Sequence, residues 1–285
     1  MKRWGWMTVG TVLALAGLVS MAAVAGGLIK ATSANAEAQK LIDQAWALER
    51  TDSTADIYKQ CVALIEQADK LDPNNPEIII ELSRYTWNYG DNLPKDTDEQ
   101  KKTLEGLYGQ GLDYAEKSLK IKETVGAHYW LAVNKSASLE FSNILSQAAA
   151  FPSIYSHSQY VTNNEPNYYY GAAGRLWAEI LSRVPKKVVE LVNWDVNEAV
   201  AEIDKAIVAE PRYFDNYLYK ARFFHVYFGN DEEALKLLDE MLKKDPNVFP
   251  EEINANKVSQ RDGKDLWRKI TGKEYPELPI SPKAP

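Results

Sequence analysis

Two stretches near the C-terminus carry the same alternation of apolar and polar positions. In Asn197–Pro211 the apolar or small residues are Ala199, Val200, Ile203, Ala206 and Ile207, and Pro211 closes the stretch. In Glu232–Pro246 they are Ala234, Leu235, Leu238, Met241 and Leu242, and the closing Pro246 comes 35 residues after Pro211. Positions i, i+1, i+4, i+7 and i+8 make one stripe along a helix. A proline after the last turn cannot continue that helix and opens the next element. A third copy runs from Cys61 through Ile65 and Ala68 to Pro73, and a weaker fourth, Gly111–Glu123, has Glu123 where the proline belongs. Companion helices are expected over Ile79–Gly90 and Leu218–Gly229, each ending at a glycine suited to a turn between helices.

These residues resemble the second helices of tetratricopeptide repeats. In that family a small residue, a bulky apolar one four later, a small one three later and a closing proline let paired helices approach closely. The predicted fold is therefore all-α, a tetratricopeptide-type α-α superhelix with an irregular centre. The positions assigned to repeat packing are Cys61, Ile65, Ala68 and Pro73; Ala199, Ile203, Ala206 and Pro211; and Ala234, Leu238, Met241 and Pro246.

Between the regular ends the spacing loosens. Asn88–Glu99 reads as an inserted loop. A long helix is expected over about Ala127–Ala149, then an aromatic connection over Phe151–Tyr170, and then a helix over Gly171–Arg183, with Tyr168–Trp177 reading as helical throughout. A short helix near Gly263–Thr271 would cap the array, and the proline-rich tail Pro276–Pro285 reads as loose.

The N-terminus has another character. Lys2 and Arg3 precede a run from Trp4 to Ile29 without a charged residue, followed by Ala34-x-Ala36. This is the pattern of a secretory signal, with cleavage expected after Ala36, or else of a retained anchor helix. Either way the body is expected to be exported, in the periplasm or at the outer face of the cytoplasmic membrane. The expected domains are thus residues 1–36, a repeat domain over 37–272 and a tail over 273–285.

Charge then excludes some partners. Lys+Arg number 33 and Asp+Glu 40 in the whole chain; residues 1–36 hold three of the basic ones and no acidic ones, which leaves the rest at about −10. Nucleic acid needs a basic footprint that this body lacks. The single cysteine, Cys61, cannot build a disulfide framework.

Candidate chemistry is sparse. His128, His157 and His225 have no metal-ligand spacing, and no nucleophile elbow or phosphate loop occurs, so no catalytic residue, metal or cofactor is expected. Asn134-Lys-Ser136 matches a glycosylation acceptor but lies within a predicted helix. Gly171-Ala-Ala-Gly174-Arg175 suits either an anion-binding turn or close helix packing, and packing is the favoured reading. Tyr168, Tyr169, Tyr170 and Trp177 form an aromatic patch beside Arg175, Glu179 and Arg183, which recur every four residues as an ion-pair ladder. The patch reads either as a groove in which a guanidinium meets a ligand carboxylate or as packing with a solvated ladder.

A more particular likeness rests on Tyr170-Gly-Ala-Ala-Gly174-Arg175-Leu176, then Val184-Pro185, then the repeat Asn197–Pro211. In this order they resemble the T-component (TatT family) of tripartite ATP-independent periplasmic (TRAP) transporters. Relatives of that group include the eukaryotic regulator of microtubule dynamics proteins. The likeness implies an accessory protein that associates with a periplasmic solute-binding protein and a small organic or hydrophobic ligand, and that forms a homo-oligomer. The alternative from the residues alone is a cell-envelope scaffold that grips peptides or protein partners in its concave face.

Overall fold

A computed structural model describes residues 27–276. Among them every regular element is helical, and twelve α-helices follow one another. The charge-free run Trp4–Ile29 of the proposed signal or anchor falls almost wholly outside the described residues, as does most of the tail. No described helix is long and apolar enough to cross a membrane.

The helices pack as antiparallel neighbours. The first pair is α1 (Ala36–Glu49) and α2 (Ala55–Leu71), the second α3 (Pro76–Asp91) and α4 (Asp98–Ile121), and the third α5 (Val125–Ser138) and α6 (Ile144–Asn164). Next, α7 (Ala172–Arg183) packs on α9 (Asn197–Ala209), while α8 (Lys186–Val192) is inserted between them and leans on α6. Finally α10 (Asp215–Phe223) pairs with α11 (Asp231–Leu242), and α12 (Ile253–Thr271) covers both.

Local chemistry sets the boundaries. Asn35, Thr54, Asn75, Thr97, Thr124, Asn143 and Asn230 each accept a backbone N–H in the first turn of the helix that follows. Such caps satisfy donors that the helix itself leaves unpaired. Cys61, Ile65 and Ala68 face inward on α2, as do Ala199, Ile203 and Ala206 on α9 and Ala234, Leu238 and Met241 on α11. Pro73 and Pro211 stand in exposed turns after α2 and α9, and Pro246 starts a 3-10 turn after α11.

Several elements differ from the expectation, each for a local reason. The long helix over Ala127–Ala149 is two helices. Asn143 caps α6 by accepting from Ser146 N–H at 3.0 Å, and the Gln147 amide donates to the carbonyls of Leu139 and Ser142 at 3.1 and 3.2 Å, fixing the turn. The aromatic connection is mostly α6 itself, which carries Pro152 in its interior. Tyr168–Trp177 is not one helix: Tyr168–Tyr170 form a 3-10 turn, and Tyr169, Tyr170 and Gly171 all have positive φ before α7 begins. Gly90 stands one residue before the end of α3 at Asp91. It lies inside α3, where a Cβ would sit 2.9 Å from the Tyr108 ring. The cap helix spans all of Ile253–Thr271, and α1 completes the first pair.

The two glycines of the Gly171–Arg175 stretch serve close packing. Gly171 has φ 84°, and a Cβ there would lie 2.3 Å from that of Ala206. At Gly174 a Cβ would lie 2.8 Å from Ile203 Cα on α9. Because backbone cannot yield as a side chain can, Gly174→Val is expected to cost about 2–3 kcal/mol through overpacking. Chemical denaturation reads this directly, and an unchanged midpoint would show that α7 and α9 can separate freely.

Candidate functional site

The array curls until its ends meet. The Asn254 amide, at the start of α12, donates to Ser53 Oγ at 3.3 Å and to the Glu49 carbonyl at 3.5 Å, next to α1. Inside lies a cavity of about 560 Å³, lined by residues of α1, α2, α3, α5, α6, α7, α8, α10 and α12 and of the segments between helices. That volume suits a small organic molecule. The inner face thus forms a partly enclosed cavity.

Its wall is rich in aromatic rings. Trp46, Trp87, Trp130, Trp177 and Trp194 all line it, together with Phe151, Tyr129, Tyr169 and Tyr213. Trp177 and Trp194 pack at 4.4 Å between centroids, and Phe151 lies 5.6 Å from Trp177. Of the patch read from sequence, Tyr169, Arg175, Trp177, Glu179 and Arg183 reach the cavity. Tyr168 and Tyr170 are buried beside it, Tyr168 against Tyr129 and Tyr170 against Tyr213 and Phe249.

Four of the five lining arginines are engaged by the protein. Arg175 donates to the Tyr170 carbonyl at 2.9 Å, to Asn216 Oδ1 at 2.7 Å and to the Tyr169 carbonyl, between the rings of Tyr169 and Tyr213. It does not continue the ladder to Glu179. The remaining rung holds: Arg183 pairs with Glu179, with Asp91 at 3.0 Å and with Glu140 at 2.9 Å. Arg222 reaches Glu179 at 3.2 Å. Burial opposes charge on Glu179, yet Arg183 and Arg222 hold its carboxyl below the usual range. Arg261 pairs with Asp262, and Arg50, which is exposed, lies over Trp46.

What the arginines leave over is acidic. Asp215 and Glu252 line the cavity without an ion-pair partner among the described residues. Asp215 accepts from the Tyr213 hydroxyl at 3.1 Å and from Ser259, and Glu252 accepts from the Tyr170 hydroxyl at 3.1 Å. Burial pushes the Glu252 carboxyl up to about 7; the Tyr170 hydrogen bond works the other way, and nearby Glu49 adds to the rise. The folded state therefore holds this proton more tightly than the unfolded chain. Its contribution to stability is full below the ordinary value of 4.5 and is lost as pH rises through about 7. Glu252→Gln should flatten that part of the stability profile, measured by denaturant melts at pH 5 and pH 8. An unaltered slope would mean that Glu252 is solvated.

The match to known families decides the family. Residues 41–261 match the profile of the family described as "Regulator of microtubule dynamics protein 1-3". The chain belongs to this family. No curated protein matches it. Membership corrects the transporter reading: the T-component assignment, the solute-binding partner inferred from it and the transport role all fall with this match. The structure explains why the Gly171–Leu176 likeness misled. Gly171 and Gly174 serve helix packing, and Arg175 holds backbone carbonyls, so the motif reports a helix pair rather than a transporter.

Other site features of this family member escaped sequence reading. Trp46, Trp87, Trp194, Asp215 and Glu252 are scattered along the chain and meet only in the curled array. His128 and His157, far apart in sequence, approach to 2.8 Å between Nδ1 atoms, so that one ring donates to the other. His128 also stacks on Tyr160 and reaches Glu123 at 3.2 Å. Burial, and then His128 beside it, holds His157 below the usual histidine range. Among the described residues no group of three His, Cys, Asp or Glu is placed to hold a metal. Asn134 is fully buried, with its amide on Ser83 Oγ and the Trp130 carbonyl, so it cannot present itself as a glycosylation acceptor.

Proposed function

We propose that this member of the family is a non-catalytic receptor of the tetratricopeptide type, a superhelix closed around its ligand. The ligand is an amphipathic small molecule that carries a cationic group. The observation that carries this is the pairing of an aromatic wall with Asp215 and Glu252, while the lining arginines Arg175, Arg183, Arg222 and Arg261 are already engaged. Aromatic faces attract cations, more so where water is excluded. A carboxylate that lacks an internal partner adds charge complementarity. A ligand carboxylate would instead meet these acids, and among the described lining guanidiniums only the exposed Arg50 lacks a carboxylate or carbonyl partner.

Titration with dodecylamine and with dodecanoate separates the two signs, read by the fluorescence of the cavity tryptophans. The amine is expected to saturate one site and the carboxylate to bind more weakly. Preference for the carboxylate would reverse the proposal.

Family membership favours a second reading, a regulator of microtubule dynamics as the family is described, working through the polymer itself. Co-sedimentation of the full chain with polymerised tubulin tests it. Saturable pelleting supports an action on the polymer, and a chain that stays in the supernatant removes it.

A further inference from the structure

The segment just before α1 reads from sequence as the end of a cleaved leader, but it is built into the body. Ala31 is 2% exposed and belongs to the core formed by α1, α2 and α3. Thr32 donates to Glu77 through its backbone N–H at 2.9 Å and through its hydroxyl at 2.8 Å, and its carbonyl accepts from Asn75 at 2.8 Å. Ser33 donates to Asp72 at 2.6 Å, and the Asn35 amide donates to the Leu71 carbonyl at 3.1 Å. These bonds tie the segment to the turn between α2 and α3. Toward the N-terminus it crosses to the central core, where Leu28 packs and lines the cavity. Beyond Leu28, a Cβ at Gly27 would lie 2.9 Å from the Tyr170 hydroxyl, the group that also binds Glu252.

Cutting after Ala36 would remove all of this. It would also take away Asn35, whose side chain accepts from Glu37 N–H at 3.0 Å and Ala38 N–H at 3.2 Å. In its place a new ammonium would stand at the positive end of the α1 dipole, where cations are unfavourable. The small residues of Ala34-x-Ala36 have another use, since they bracket a helix cap in a tight corner.

We propose that Leu28–Asn35 is a strap retained in the functional protein, forming part of the cavity wall, and that Ala34-x-Ala36 is a helix start rather than a processing site. The cavity part rests on the receptor reading above; retention does not. The N-terminus of the protein purified from its native cells, read by intact mass and terminal sequencing, decides retention. A start at or before Leu28 is expected, and a start anywhere from Ile29 to Glu37 overturns it. The wall role is read separately in the full chain carrying Leu28→Gln, a change at a partly buried position that should leave the fold intact. Acrylamide should then quench the cavity tryptophans more strongly than in the parent chain, with the circular dichroism spectrum unchanged. Unaltered quenching in a folded variant overturns the wall role, whatever the amine titration shows.

Discussion

Arg84→Ala is expected to destabilise the protein by about 3–5 kcal/mol, the range for breaking a buried ion pair by removing one partner. Arg84 on α3 is 1% exposed and reaches Glu81 at 2.8 Å and, on α1 of the first helix pair, Glu49. The Trp46 indole donates to Glu81 at 3.0 Å, and the Tyr85 hydroxyl donates to Glu49 at 3.0 Å, so the carboxylates are held on both sides. Burial works against the guanidinium charge, yet Glu49 and Glu81 raise its pKa well above the ordinary value. Alanine would leave the buried Glu81 carboxylate without its cation, beside the partly buried Glu49. Urea melts at neutral pH measure the loss. A change below about 1 kcal/mol, typical of any point substitution, would show that water or rearrangement replaces the guanidinium.

The second large effect is at Arg175. One of the two sequence readings of the patch makes this residue a ligand-binding guanidinium. In the structure it is 4% exposed and its donors go to Tyr169, Tyr170 and Asn216. The two tyrosines have φ 45° and 56°, a conformation that side-chain-bearing residues adopt only when neighbours enforce it. Arg175 and Asn216 supply that enforcement, since the Asn216 amide also donates to the Tyr170 carbonyl at 3.1 Å. Each charged hydrogen bond contributes about 1.5–3 kcal/mol, so Arg175→Ala should lower stability by roughly 3 kcal/mol or more. Lysine should not restore it, because a point charge cannot serve three acceptors as a planar fork does. A variant of full stability that has lost only ligand affinity would reinstate the sequence reading.

Legibility in the sequence followed amphipathic regularity. The stripes of α2, α9 and α11 pointed to the centre of each buried face, because their small and bulky positions meet a paired helix at fixed intervals, while Tyr58 and Leu237 are buried off the stripe. The centre obeys no such stripe. On α6 the buried positions are only Ile154, Ser158 and Val161, and Pro152 imitates a helix end. The α1 helix was hidden because its first residue, Ala36, completes a cleavage pattern. Likewise α12 begins with Ile253-Asn-Ala-Asn256, whose Asn256 is buried for hydrogen bonding rather than for apolar contact.

The site was half legible. Tyr169, Trp177 and Arg183 belong to a local cluster visible as such, whereas Trp46 and Glu252 come together only because the array closes at Asn254. Pair spacing within a helix is a local property; closure of the array sums many small rotations between helices. The buried Glu81–Arg84 pair carried a signal, two charges at i and i+3 within an otherwise apolar stretch of α3.

The measurement that bears most directly on the receptor account is calorimetric titration of dodecylamine into the full chain and into the Asp215→Asn, Glu252→Gln double variant. The account predicts one saturable site in the parent chain and at least about tenfold weaker binding in the variant, the effect of roughly 1.4 kcal/mol of lost charge complementarity. Equal affinity for the two proteins would contradict it.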